Sequence, residues 1–144
     1  MSHLLDTNVV SEGTRPRPDP GVARWLRGVD EDRLFISVVS IAEMRRGVAL
    51  LPPGRRRDSL SVWLSRELPE RFTGRVLDID FAITERWGDL MAKSQGVGAA
   101  LEPMDAFFAA TALARDLILA TRNVRDFQAF GVRLFNPWIA GDAA

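Results

Sequence analysis

Leu34-Phe35-Ile36-Ser37 leads straight into Val38-Val39-Ser40-Ile41-Ala42-Glu43-Met44-Arg45-Arg46-Gly47 and on to Leu50. The apolar run at Leu34–Ser37 reads as a buried strand. From about Ser40 to Leu50 a helix follows, stopped by Pro52-Pro53-Gly54. A strand that hands over directly to a helix is half of a βαβ unit. The same hand-over recurs on both sides. Upstream, Leu4-Leu5 ends a short entry strand, Asp6-Thr7-Asn8 breaks it, and Val9-Val10-Ser11-Glu12 reads as a helical turn. Arg15-Pro16-Arg17-Pro18-Asp19-Pro20 is a loop, because each proline biases its predecessor away from helix. Asp19 N-caps a helix that has Pro20 in its first position and runs to about Arg27.

Downstream, Asp58 opens a helix to about Glu67, and Arg75-Val76-Leu77-Asp78-Ile79 is a strand. Asp80 caps a helix from Phe81 to about Ser94, and Gly96-Val97-Gly98 is a loop. A helix from about Met104 to Arg115 precedes the strand Leu117–Ala120; Asn123 begins a short helix. Val132–Phe135 is the last strand, before a polar tail from about residue 139. Strands alternate with helices and no hairpin signal intervenes. The expectation is one α/β domain over residues 1–144, with a parallel sheet of four or five strands flanked by helices. Such sheets bind ligands beyond the carboxyl ends of their strands, near a switch in strand order.

Composition narrows the chemistry. Apolar residues make up 47% and charged residues 26%, which suits a folded core rather than a disordered chain. There is no cysteine, which excludes disulfides, thiolate metal sites and thiol nucleophiles. His3 is the one histidine, so no site can use two imidazoles. With 19 basic and 19 acidic residues the net charge is zero, so the chain is not a basic clamp for nucleic acid overall. Lys93 is the sole lysine; every other basic residue is arginine. The start carries no basic segment before an apolar run, and no stretch approaches the roughly 20 apolar residues that cross a bilayer. A cytoplasmic protein without a membrane partner is expected.

The acids fall at strand ends. Asp6 follows the first strand; Glu43 lies in the helix after Leu34–Ser37; Asp105 opens a later helix; Asn123 and Asp126 follow Leu117–Ala120. Crowded carboxylates repel one another unless a cation sits between them. Without cysteine or a usable histidine, an oxygen-only donor set selects Mg²⁺ or Mn²⁺. Such an ion binds phosphate oxygens and makes bound water more acidic, which suits phosphodiester hydrolysis. Each acid also has a plain structural reading. Asp6 can cap the turn that follows it, Ser40-Ile41-Ala42-Glu43 has the form of a capping box, Asp105 can cap its helix, and Asp126 can be a solvated surface acid.

Leu5-Asp6-Thr7-Asn8-Val9 resembles the opening of PIN domains. Ser37–Gly47, Met104-Asp105-Ala106-Phe107-Phe108-Ala109-Ala110-Thr111-Ala112 and Leu119-Ala120-Thr121-Arg122-Asn123-Val124-Arg125-Asp126-Phe127 resemble its later blocks, in the same order and spacing. The likeness runs from Leu4 to about Pro137 and is nearest to VapC-like toxins of the FitB-like branch. It implies a three-layer PIN-like α/β fold and a Mg²⁺- or Mn²⁺-dependent endoribonuclease, the toxin of a toxin–antitoxin pair. Asp6, Glu43 and Asp105 match the family's acidic metal positions. The fourth position departs from the pattern. Asn123 stands where many members carry an acid, and Asp126 follows three residues on. Either completes the site, and the count of one or two metals stays open. Thr121 can donate its hydroxyl to a neighbouring acid or contact substrate. The resemblance further implies a cognate antitoxin that is a small DNA-binding protein, an RNA substrate, a homodimer, and a larger toxin–antitoxin assembly.

Arg45, Arg46, Arg55, Arg56 and Arg57 form a basic stretch around a Pro-Gly loop, either contacting RNA phosphates or simply solvated. Trp25, Trp63, Trp87 and Trp138 are read as packing residues rather than base-stacking platforms. Two rival functions remain. A receiver- or phosphatase-type domain would share the acidic cluster but needs a lysine at a late strand end, where Lys93 does not lie. A family member that binds a partner without cleaving is the other.

Overall fold

Three residues, His3–Leu5, form β1, the central strand of the sheet. In the computed structural model, which describes residues 1–98 and 100–140, five strands pair in the order β3-β2-β1-β4-β5. They are β1, β2 (Leu34–Ser37), β3 (Val76–Leu77), β4 (Ile118–Ala120) and β5 (Leu134–Phe135), and every pairing is parallel. The helices are α1 (Thr7–Glu12), α2 (Pro20–Gly28), α3 (Val38–Ala49), α4 (Arg55–Val62), α5 (Leu68–Arg71), α6 (Phe81–Val97), α7 (Pro103–Arg115), α8 (Val124–Phe127) and α9 (Pro137–Ala140). The chain steps outward from β1 through β2 to β3, then returns to β1's other side as β4. The switch in strand order therefore lies between β1 and β4, and it opens a crevice at their carboxyl ends. A receiver-type sheet has the order 2-1-3-4-5 instead, so the topology removes the receiver form of that rival.

Successive strand residues point to opposite faces and fill two cores. Leu4 and Leu119 join one core with Ile83, Leu90, Phe108, Ala109 and Phe127, beneath α6 and α7. Leu5, Ile36 and Ala120 join the other with Val9, Val22, Trp25, Leu64 and Leu68, beneath α1, α2 and the α4–α5 segment. The result is the three-layer arrangement that the alternation of elements implies. Alanines at 106, 109, 110 and 112 are buried on α7, and α6 packs along it.

Local signals set most helix ends. Asp19 accepts from the Val22 amide at 3.1 Å and Asp80 from the Ile83 amide at 3.0 Å, as their sequence positions predict. Other ends shift. α3 begins at Val38 because Ser37, not Ser40, accepts from the Val39 amide at 3.0 Å, so Ser40–Glu43 is not a capping box. α4 begins at Arg55, and its path to α5 is continuous through a π-helical turn at Trp63–Glu67. α6 runs through the expected loop to Val97, where Gly98 at φ 68° stops it. The edge strand β3 pairs over two residues rather than five. α9 occupies 137–140 at the start of the expected tail; 141–144 lie outside the described residues. Among the described residues no helix is long and apolar enough to cross a membrane.

Candidate active site

Sheet register brings the first two site segments together. Leu5 on β1 pairs with Ala120 on β4, so the next residues, Asp6 and Thr121, emerge side by side. The Asp6 amide donates to the Ala120 carbonyl at 2.9 Å and fixes that exit. Asp6 is buried and serves two masters. Its Oδ1 accepts from the Thr7 amide at 2.7 Å, which makes it the cap of α1. Its Oδ2 accepts from the Thr121 hydroxyl at 2.8 Å, with the Asn8 side-chain amide at 3.5 Å.

Thr121 is fully buried, and its only hydroxyl proton goes to Asp6. The same oxygen accepts from the Asn123 amide at 3.0 Å. Thr121 therefore positions Asp6 and turns the β4 exit loop from a buried place. Asn123 caps nothing with its side chain and stands exposed beside that loop.

Glu43 arrives from α3. Its Oε1 accepts from the Thr7 hydroxyl at 2.7 Å. That proton being committed, the buried Ser40 hydroxyl, 2.9 Å away, donates to Thr7. The chain Ser40–Thr7–Glu43 ties α1 to α3. The Ser40–Glu43 spacing thus has a use, through α1 rather than through a cap.

Asp105 sits in the first turn of α7 without capping it; Glu102 occupies the cap position and makes no side-chain cap bond. Burial pushes the Asp105 carboxyl up to about 6, and the negative charges of Asp6, Glu102, Asp126 and Glu43 add to the rise. Burial also raises Asp6 from its ordinary value, against the lowering effect of its Thr121 and Thr7 hydrogen bonds, and Glu43 raises it further. Segments as distant in sequence as Asp6 and Asp126 therefore share one field. Asp126 is exposed and contributes charge from α8. Sequence reading missed Glu102. Its signal was its place one turn before Asp105, masked by the Pro103 between them.

No ion pair among the described residues involves Asp6, Glu43, Asp105 or Asp126. Nor do three acids among them close on one point as a ready cation cage. Arg45 is pinned on the exposed face of α3, its guanidinium donating to Ser61 at 2.9 Å and Ser65 at 2.6 Å. Arg46 is exposed. Arg122 stacks over the Trp138 ring at 5.2 Å, and its amide lies 3.4 Å from Asn8 Oδ1. Lys93 is exposed on α6.

The model of the PIN domain family matches residues 3–132. The plasmid stability protein StbB of Pseudomonas syringae pv. tomato is 43% identical over 95% of this chain and 99% of its own length. The VapC ribonuclease Y4jK of Sinorhizobium fredii is 36% identical over 94% of this chain and 96% of its own. The toxin FitB of Neisseria gonorrhoeae is 36% identical over 94% of this chain and 97% of its own. A crystal structure of FitAcB from that organism superposes with a TM-score of 0.89, at 35% identity, covering 94% of this chain and 98% of that one.

Proposed function

The chain belongs to the PIN-domain family, and on that premise we propose that it is a Mg²⁺- or Mn²⁺-dependent endoribonuclease, the toxin of a toxin–antitoxin pair. The observation that carries this reading is the shared field of Asp6, Glu43, Asp105 and Asp126 at the β1/β4 switch. The ribonuclease and toxin names of two relatives support it.

The donor set fits a hard divalent cation. Every candidate ligand is a side-chain oxygen, from a carboxylate or from the Asn123 amide, and His3 lies away from them, between Trp25 and Phe135. Carboxylates raised by desolvation and mutual repulsion are groups that a cation would return to the ionised state. Asp6, Glu43 and Asp105 would hold the ion. When bound, it supplies Lewis acidity to phosphate oxygens and acidifies water.

The chain's own residues do the remaining work. Thr121 and the Thr7 amide hold Asp6 in one orientation. Thr7, steadied by Ser40, aims Glu43. Glu102 and Asp126 add negative charge around Asp105 without being buried. Asn123 offers a neutral side chain at the same edge, where it orients water or completes the ligand set. The scissile phosphate lies over the β1/β4 exit, with arginines of α3 and α4 nearby for its neighbours.

The partners in this reading are a cognate antitoxin, itself a small DNA-binding protein, and a second copy of the chain. The likeness of fold to a chain of the FitAcB structure across nearly the whole length supports such an assembly. The test is cleavage of a mixed RNA pool by the purified protein, in Mg²⁺ or Mn²⁺ against EDTA, with Asp105→Asn alongside. Metal-dependent cleavage that the variant lacks is the expected result. Equal behaviour of the two proteins refutes the reading.

A further inference from the structure

A cleft of about 300 Å³ opens beside the acids, between α1, α3 and α4. Thr7 and Glu43, joined by their 2.7 Å hydrogen bond, form its end at the catalytic edge. Met44, Leu60 and Trp63 give it an apolar wall with one aromatic ring, and Ser11 and Thr14 line it with hydroxyls. Arg56 stands in the lining, flanked in sequence by Arg55 and Arg57, and has no ion-pair partner among the described residues. Single-stranded RNA is read by bases splayed into such places, packed on an aromatic or arginine plane and hydrogen-bonded at their edges.

We propose that this cleft is a nucleobase subsite that takes the nucleotide next to the scissile phosphate, with Trp63 as its apolar wall and Arg56 meeting a backbone phosphate. The inference rests on the ribonuclease reading above and adds where the enzyme reads its substrate. Continuity decides the occupant. Because Thr7 and Glu43 belong both to the acid site and to the cleft, whatever fills it lies one group away from the bond to be cut. An unpaired arginine in the lining suits a polyanion that passes across both.

Gly47 makes the idea testable without harming the fold. It lines the cleft from α3, and a Cβ built on it meets nothing within 4 Å. Leucine is also the better helix former, so Gly47→Leu fills the cleft while leaving α3 at least as stable. Wild type, Gly47→Leu and Arg56→Ala are compared with Mn²⁺ on a random-sequence RNA library and on one cleaved oligonucleotide, with melting temperatures taken for each.

Gly47→Leu is expected to raise KM by about tenfold or more, the effect of one lost stacked base. It should flatten the base preference at the cleavage site and leave Tm unlowered. Arg56→Ala should raise KM and reduce the slope of log KM against log salt by about 0.7, one single-strand phosphate contact. A Gly47→Leu protein with wild-type KM and preference overturns the subsite. So does one that cleaves as wild type but no longer binds its cognate antitoxin, which would assign the cleft to protein. If the wild type cleaves no RNA, or cleaves independently of Asp105, it is the ribonuclease reading that fails, and the subsite falls with it.

Discussion

The two ends of the sheet treat charge in opposite ways. At the amino end, where α7 turns into β4, Arg133 pairs with Asp116 at 2.7 Å and also donates to its carbonyl at 3.1 Å. Arg115, the last residue of α7, pairs with Asp80. At the carboxyl end, the charges of Asp6, Glu43 and Asp126 all act on Asp105, and no ion pair among the described residues reaches these four acids. Arginine is not scarce there. Arg45 is turned onto Ser61 and Ser65, and Arg122 onto Trp138. The difference teaches that the negative charge at the carboxyl end is held uncompensated by the fold itself. Asp80 and Asp116 at the amino end find arginines; the acids at the carboxyl end are left for something that arrives.

The largest effect should come from removing that charge. Asp6→Asn and Asp105→Asn are each expected to reduce RNA cleavage by about 100-fold or more while the circular dichroism spectrum stays native. Unfolding of either variant would break the comparison, because it would make the acid a structural cap like those at Asp19 and Asp80. Asp126→Asn should lose less, since that side chain is exposed and acts on Asp105 through charge. Equal loss would place Asp126 among the ligands.

The buried core gives a contrasting effect on stability. Phe108→Ala removes a fully buried ring beneath α7 and should destabilise the fold by about 3–5 kcal/mol, lowering Tm by roughly 10 °C or more. A further variant probes the link between α1 and α3. Thr7→Val deletes the hydroxyl that joins Ser40 to Glu43. Cleavage should fall about tenfold and Tm by only a few degrees, for a lost hydrogen bond of about 1 kcal/mol. A large Tm drop with unchanged kcat would make that chain scaffolding rather than aim.

Where the fold was legible, one local signal sufficed. Leu34–Ser37 is apolar and abuts a helix, and Asp19-Pro20 and Asp80-Phe81 cap theirs, so those elements stand where sequence puts them. Where two signals competed, the third dimension decided. Ser37 and Ser40 are both plausible caps, and α1 settles the matter by engaging Ser40 through Thr7. The expected strand Arg75–Ile79 shrinks to two residues because it lies at an edge with one neighbour. At its start the Arg75 carbonyl still accepts from the Ile36 amide at 3.0 Å, while the Arg75 guanidinium donates to the carbonyls of Glu31 and Leu34. Asp6, Glu43 and Asp105 were visible as acids at strand ends and helix starts. That Asp6 is both cap and site residue was not, since one carboxylate's two oxygens take their partners from opposite ends of the chain, Thr7 and Thr121.

The smallest effect is the sharpest test of the comparison, because its sign runs against intuition. Asp105 has an ordinary value of 3.8 and a folded value of about 6. Between those values the folded chain binds more proton than the unfolded one, so this group makes metal-free stability fall as pH rises, and the full penalty stands above pH 6. Asp105→Asn removes the penalty. In EDTA at pH 7.5 the variant should melt about 3 °C higher than wild type, the shift that roughly 1 kcal/mol produces once solvent screening is allowed for. Below the ordinary carboxylate range the two should melt together, because both side chains are then neutral in either state. His3 pulls the other way, since burial lowers it, but it is common to both proteins and cancels in the difference. Mutating Asp116 at the paired end should do the reverse and lower Tm slightly at neutral pH. If Asp105→Asn melts lower at pH 7.5, the carboxyl end is as well compensated as the amino end, and the contrast between them disappears.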